Sequence, residues 1–126
     1  MATHTINAQN IESTITDNAV VILDFWASWC GPCKAFAPTF EAASGKHEGI
    51  FFGKIDTQAE TALAAQLQIQ SIPTLMVFRD NIMIFRQPGA LPPPAFEDLI
   101  TQVMALDMDD VRAKMAADAD AEQAAT

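Results

Sequence analysis

The run Val20-Val21-Ile22-Leu23-Asp24-Phe25-Trp26 constrains the fold of this chain more than any other segment. It is a nearly continuous series of β-branched, aliphatic and aromatic residues, without the polar alternation of a strand that has one wet face. Such a run is typical of a strand buried on both faces. The sequence therefore predicts an interior strand whose sheet is covered by helices on both sides.

Other runs of apolar residues predict the rest of the sheet. Strand-like runs occupy residues 50–55, 74–78 and 82–85. Arg79-Asp80-Asn81 lies between the last two runs and predicts a hairpin turn. Strands joined by helices favour parallel pairing, whereas a hairpin adds antiparallel neighbours. We expect an α/β fold with a mixed central β-sheet flanked by helices.

In the segments between these strands, apolar residues recur at helical spacing. The predicted helices follow Asn7, run from Pro32 to about His47, follow Thr57-Gln58-Ala59-Glu60, and follow the prolines at 92–94. Asn7 is interpreted as an N-cap, and Thr57 to Glu60 has the spacing of a capping box. Pro38 is expected to kink the second helix, because it removes a donor and crowds the preceding turn.

The 126 residues are enough for one domain, which we expect to span residues 1–106. Residues 107–126 form an acidic C-terminal extension. Met108, Val111 and Met115 predict a short amphipathic helix within it. The small and acidic residues after Met115 are expected to fray, so the extension is predicted to be partly disordered.

The formal net charge of −9 opposes binding to nucleic acid or to an anionic membrane surface. The first residues, Met-Ala-Thr-His-Thr-Ile-Asn, contain neither a basic nor an apolar region of a secretory signal. The most apolar stretch, residues 19–27, is too short to span a bilayer. We therefore expect a cytoplasmic protein, where two cysteines are more often catalytic or metal-binding than structural.

Cys30-Gly31-Pro32-Cys33 lies where the buried strand passes into a helix. Residues three apart on a helix share a face, so the two sulfurs can reach bonding distance. The free N–H groups and the positive dipole end at a helix N-terminus favour a thiolate, so a lowered pKa and the role of nucleophile are expected for Cys30. Cys33, one turn inside, is predicted to be more buried and to resolve the mixed disulfide. Pro32 suits an early helical position.

Three other interpretations of the cysteines fit the sequence less well. Two small buried hydrophobes are improbable at this spacing and junction. A zinc site needs four ligands, and only His4 and His47 remain, neither with a partner at ligand spacing. A cysteine–histidine hydrolase fails on distance, since His47 is predicted roughly 20 Å along the same helix at ~1.5 Å per residue. No metal site is expected.

The segment Asp24-Phe25-Trp26-Ala27-Ser28-Trp29-Cys30-Gly31-Pro32-Cys33-Lys34 closely resembles the active-site segment of thioredoxins. The similarity continues through Lys54-Ile55-Asp56, Ser71-Ile72-Pro73-Thr74 and Pro88-Gly89-Ala90-Leu91, and covers about residues 3–106. The resemblance implies a thioredoxin fold and a protein disulfide reductase that acts by dithiol–disulfide exchange without a bound cofactor. It implies disulfide-containing client proteins, and a thioredoxin reductase that supplies electrons from NADPH. A monomer is expected.

The resemblance also implies roles for single residues. Asp24 is similar to the family's buried carboxylate, which moves the proton of Cys33, and burial in an apolar strand raises the pKa of a carboxyl toward neutrality. Lys54 resembles the residue beside that carboxylate. Pro73 resembles the family's cis-proline opposite the dithiol, which leaves the Ile72 backbone free to pair with a substrate strand. The implied substrate-binding residues are Trp29, Gly31, Pro32, Ile72, Pro73 and Gly89.

Two alternatives to a reductase remain open at this point. One is a thioredoxin-fold scaffold or binding module that uses the C-terminal extension for docking. The other is a disulfide oxidase or isomerase, which a higher reduction potential would indicate. The Gly31-Pro32 dipeptide favours the reducing direction, because more oxidising relatives commonly carry a histidine there.

Overall fold

The computed structural model describes residues 3–125, with side chains through residue 123. The strands are β1 (Thr3–Thr5), β2 (Val20–Trp26), β3 (Phe51–Asp56), β4 (Thr74–Arg79) and β5 (Ile82–Pro88). The helices are α1 (Ile11–Asp17), α2 (Gly31–Lys46), α3 (Thr61–Gln66), α4 (Pro93–Ala105) and α5 (Met108–Ala125). Within this part of the chain, none of the helices combines the length and the apolar character that crossing a bilayer requires.

The five strands form one sheet in the order β1-β3-β2-β4-β5. β3 pairs in parallel with β1 and β2, whereas β4 is antiparallel to both β2 and β5. The predicted mixed sheet is confirmed, and β2 is its central strand. The prediction that helix-linked strands pair in parallel is wrong for β4, which follows β3 through α3. The chain leaves β3 through α3 and enters the sheet on the far side of β2, where β4 pairs antiparallel to β2.

Helices cover both faces of β2, as its composition predicts. On one face, Ile22 belongs to a cluster with Phe36 and Phe40 of α2 and Phe96 of α4. On the other face, Leu23 and Phe25 pack with Ile6, Leu63 and Met76. Because side chains alternate along a strand, Asp24 lies on the same face as Ile22, under α2 and α4.

Gly53 of β3 lets the second face pack closely. A Cβ atom there would lie 2.6 Å from Ile6 Cγ1 and 2.9 Å from Leu23 Cδ2. Both neighbours are fully buried and have little room to move. Only glycine fits between them without displacement of the core.

The first helix begins later than Asn7 predicts. The Asn7 Oδ1 atom accepts hydrogen bonds from the backbone N–H groups of Gln9 and Asn10, at 2.9 and 3.0 Å. These bonds close a turn, and α1 begins only at Ile11. The three-residue strand β1 was not predicted, since a segment so short carries no detectable periodicity.

The capping box at Thr57 to Glu60 is also wrong, because tertiary contacts take up its side chains. Thr57 Oγ1 donates to the Trp26 carbonyl at 3.0 Å, and Glu60 Oε1 accepts from the Ala8 N–H at 3.1 Å. The N–H of Gln58 donates instead to Asp56 Oδ1, at 2.9 Å. Helix α3 therefore starts at Thr61 without a side-chain cap.

The predicted hairpin is confirmed as β4 and β5, joined by Asp80 and Asn81 with φ of 51° and 67°. The C-terminal helix α5 has 18 residues, and is longer than the short helix predicted around Met108 to Met115. Met108 is buried, and Arg112 Nη1 lies 3.2 Å from Asp80 Oδ2 in the hairpin turn. The domain boundary at 106, the fraying of the last residues and the kink at Pro38 stay predictions.

Candidate active site

The two cysteines form a disulfide at the N-terminus of α2, with 5.2 Å between their Cα atoms. Cys30 is the N-cap residue, in an extended conformation with φ −86° and ψ 114°. Gly31 and Pro32 occupy the first helical positions, where proline is tolerated. The backbone N–H of Cys33 donates to Cys30 Sγ at 3.2 Å, in the manner of a side-chain N-cap. The strand-to-helix setting predicted for the pair is thus present.

The expected difference in burial between the cysteines is absent, since both residues are 4% exposed. Packing explains this result, because Ala27, Trp26 and Ile72 surround the pair as a unit. The two cysteines differ instead in their access to a surface groove. Cys30 borders a groove of about 400 Å³, and Cys33 is not among the residues that line it.

This groove lies between the start of α2 and the loop that precedes β4. Of the residues predicted to bind substrate, it is lined by Trp29, Gly31, Pro32 and Ile72. Trp29 is 66% exposed, the highest value among the large apolar side chains of the described residues. Sequence reasoning missed four further lining residues, Thr57, Ile69, Gln70 and Ser71. The one sequence feature that could have indicated them is their position, since three of them directly precede Ile72-Pro73.

Pro73 and Gly89 stand beside the groove rather than in its lining. The Ile72–Pro73 peptide bond is cis, as the resemblance implied. The Ile72 carbonyl oxygen lies 3.7 Å from Cys30 Sγ, and the Gly89 N–H donates to the Pro73 carbonyl at 2.8 Å. Gly89 has φ +103°, so its backbone conformation already requires glycine. Contact of Gly89 with a client stays a prediction.

Asp24 is fully buried, and neither of its carboxylate oxygens has a hydrogen-bond partner among residues 3–123. Burial raises the pKa of Asp24 from 3.8 to about 7, against the opposing charge of Lys54. Lys54 is paired with Asp24 in the register of β2 and β3. Its Nζ lies 5.1 Å from the centre of the Trp26 ring. The structure thus brings Lys54 beside Asp24 and leaves the carboxylate without a direct partner.

No group of three or more histidine, cysteine, aspartate or glutamate side chains that is suited to hold a metal ion occurs among residues 3–123. His47 lies at the far end of α2, where its Nε2 atom is 2.8 Å from Glu97 Oε2. Cys30 therefore supplies the reactive group at the groove itself, and Cys33 and Asp24 lie behind it, at and beneath the start of α2.

A strand-to-helix Cys-X-X-Cys pair beside an open groove defines a dithiol–disulfide oxidoreductase. Comparison with known proteins gives the family. A family model described as thioredoxin matches residues 2–117. The chain belongs to the thioredoxin family, the standard example of this motif, and is a protein-disulfide oxidoreductase that reduces disulfides by dithiol–disulfide exchange.

Individual relatives agree with that assignment. The chain is 49% identical over 111 residues to a putative thioredoxin 2 of Streptomyces coelicolor, with 88% of this chain and 83% of that protein covered. Among solved structures, a mutant thioredoxin of Halobacterium salinarum matches with TM-score 0.75 and 30% identity, over 83% of this chain and 93% of that one. A Plasmodium falciparum thioredoxin matches with TM-score 0.72 and 31% identity, over 78% and 96%.

Proposed function

We propose that the protein reduces disulfides of client proteins, with Cys30 as the attacking thiolate and Cys33 as the resolving thiol. The observation that carries this assignment is the position of Cys30 Sγ. It is the sulfur that borders the groove, at the N-cap of α2, with the Cys33 N–H 3.2 Å away. A donated N–H and the positive end of the helix dipole both favour a sulfur that carries negative charge.

The exchange proceeds in two balanced steps. The Cys30 thiolate attacks one sulfur of the client disulfide, so that a mixed disulfide forms and the other client sulfur leaves as a thiolate. Cys33, once deprotonated, attacks Cys30 Sγ, which releases the second client sulfur as a thiolate and closes the Cys30–Cys33 disulfide. Two electrons pass to the client, and the protein ends in the oxidised state that the structure shows.

Asp24 is proposed as the group that accepts the proton of Cys33. Its carboxylate has no hydrogen-bond partner to displace, and a pKa of about 7 suits a base that works near neutrality. Lys54 acts on Asp24 by charge, lowering a pKa that burial alone would raise further. Both residues lie on the face of the sheet that α2 covers, which is the helix of Cys33.

The groove is proposed to bind an extended client segment next to its cysteine. Within the described part of the chain, the Ile72 N–H group makes no hydrogen bond, so it is available to pair with a client backbone. Trp29, Gly31 and Pro32 would contact the segment from the α2 side, and Pro73 and Gly89 would border its path.

A thioredoxin reductase that takes electrons from NADPH is proposed to reduce the Cys30–Cys33 disulfide after each cycle. We further propose that it acts as a cytoplasmic monomer, without nucleic-acid or membrane partners. The net charge of −9 supports the last point, because nucleic acids and anionic lipid surfaces repel it. Residues 1–106 are assigned as the catalytic domain and 107–126 as its extension.

Reduction of insulin with dithiothreitol as electron donor tests the proposal. The wild-type chain should accelerate insulin precipitation, and Cys30→Ser should fall to the rate of dithiothreitol alone, because a serine oxygen forms no disulfide. Ser28→Ala, a change at a neighbouring exposed residue, serves as matched control and should keep the wild-type rate. Undiminished turnover by Cys30→Ser would overturn the role of Cys30 as nucleophile. A wild-type chain that leaves insulin oxidised, with client binding that survives loss of both cysteines, would instead indicate a scaffold.

A further inference from the structure

Arg86 links the edge strand β5 to the C-terminal end of α3. Its Nη1 donates to the Leu67 carbonyl at 2.7 Å, and its Nη2 donates to the Gln68 carbonyl at 2.5 Å. The last carbonyls of a helix have no partner within the helix, and a cation there also meets the negative end of the dipole. The guanidinium therefore caps α3 from another element of the fold.

The segment that Arg86 holds leads directly into the wall of the groove. Gln68 has φ +56°, and the Ile69 N–H donates back to the Ala64 carbonyl at 2.9 Å, so the chain turns sharply at this point. The next residues, 69–72, line the groove as far as the Ile72–Pro73 bond. The path of the wall is thus set where Arg86 binds.

Few other polar contacts restrain this wall. The Ser71 carbonyl accepts a hydrogen bond from Thr74 Oγ1, at the end nearest β4. Gln70, between the two ends, is exposed and its side chain makes no hydrogen bond within the described residues. The apolar contacts of Ile69 and Ile72 with the core fix their side chains. The backbone N–H groups of the turn bond back into α3, and its Leu67 and Gln68 carbonyls bond to Arg86.

We propose that Arg86 is a positioning residue for client binding. It touches neither cysteine, and it acts through the Leu67 and Gln68 carbonyls to hold residues 69–72 in the conformation that a client segment meets. The inference rests on the proposed function, because it requires that clients bind in this groove. It assigns client affinity to a residue outside the groove and leaves the thiol chemistry to Cys30 and Cys33.

A comparison of two oxidants tests the proposal. The pre-reduced protein reacts either with insulin, which must occupy the groove, or with 2,2′-dithiodipyridine, a small uncharged disulfide that needs only the thiols. Arg86→Gln should lower kcat/KM for insulin about three- to tenfold, through KM, since two charge-assisted hydrogen bonds are lost. Its rate with 2,2′-dithiodipyridine should equal that of the wild type.

Two further variants complete the test. Arg86→Lys should restore part of the insulin KM, because one ammonium keeps the charge but lacks the two-pronged geometry. Lys114→Gln removes the same charge from exposed α5 and should leave both rates unchanged. An equal loss with both oxidants, or an unchanged insulin KM in Arg86→Gln, overturns the role of Arg86. A wild-type chain that reacts with 2,2′-dithiodipyridine and leaves insulin oxidised overturns the proposed function itself.

Discussion

The polar groups at the two ends of helix α2 lie in opposite environments. At its N-terminal end, Cys30 borders an open groove, and Asp24 lies buried under the helix with two unpartnered carboxylate oxygens. At its C-terminal end, His47 Nε2 and Lys46 Nζ lie 2.8 and 3.8 Å from the Glu97 carboxylate on α4. These groups are partly exposed, and each has an oppositely charged or hydrogen-bonding neighbour.

These two environments affect the stability of the fold differently. A buried carboxylate without hydrogen bonds is costly when it is ionised, whereas paired charges at a surface cost little and contribute little. The same helix thus covers a buried carboxyl that is costly to ionise at one end and makes a surface contact with α4 at the other. Two substitutions, Asp24→Asn and Glu97→Gln, test this contrast through three expected effects.

The largest effect is expected on the pH dependence of stability in Asp24→Asn. Because the folded pKa of Asp24 is raised from 3.8 to about 7, the folded state gains relative stability from its bound proton at low pH and loses it as pH rises through 7. Asparagine stays neutral throughout. By pH 8 the variant should therefore be the more stable by about 4 kcal/mol, with no comparable advantage at pH 4.

Denaturant unfolding of both oxidised proteins between pH 4 and pH 8 measures this difference without interference from free thiols. Glu97→Gln provides the control at the other end of α2. A constant gap between wild type and Asp24→Asn across the whole range would show that folding leaves the pKa of Asp24 at its ordinary value.

A second effect is expected on the resolving step. If Asp24 accepts the proton of Cys33, then Asp24→Asn should slow the release of client from the mixed disulfide by roughly 100-fold at pH 7. Formation of the mixed disulfide should keep its rate, because Cys30 does not depend on that base. Rapid acid quench of a single turnover separates the two steps, and equal rates of release in both proteins would remove Asp24 from the mechanism.

The smallest effect is expected from Glu97→Gln. Loss of a partly exposed ion pair should lower the free energy of unfolding by at most about 1 kcal/mol. Insulin reduction should proceed at the wild-type rate, since α2 keeps its apolar contacts with Phe96. A marked fall in turnover would show that the two ends of the helix are coupled.

The same contrast separates what the sequence could predict from what it could not. Features encoded locally were predicted well: the doubly buried strand β2, the hairpin at Asp80 and Asn81, and the cysteine pair at a helix start. The resemblance added the cis peptide bond before Pro73. Each of these depends on a short run of residues whose side-chain pattern or backbone preference is specific.

Features that depend on distant partners were missed. Thr57 and Glu60 have capping-box spacing, but the Trp26 carbonyl and the Ala8 N–H bind their side chains. The groove wall at residues 69–71 follows a turn that is fastened by Arg86, on another strand. No local pattern reports such contacts, because the partners meet only after the sheet has formed.

If Cys30 attacks the client and Cys33 resolves the intermediate, the reaction can be stopped between these two steps. Reduced Cys33→Ser, mixed with insulin and then digested without reductant, should yield a stable peptide pair joined through Cys30 when analysed by mass spectrometry. Reduced Cys30→Ser should yield none. A stable adduct through Cys33 in Cys30→Ser, or the absence of any adduct at Cys30 in Cys33→Ser, would contradict these roles of the two cysteines.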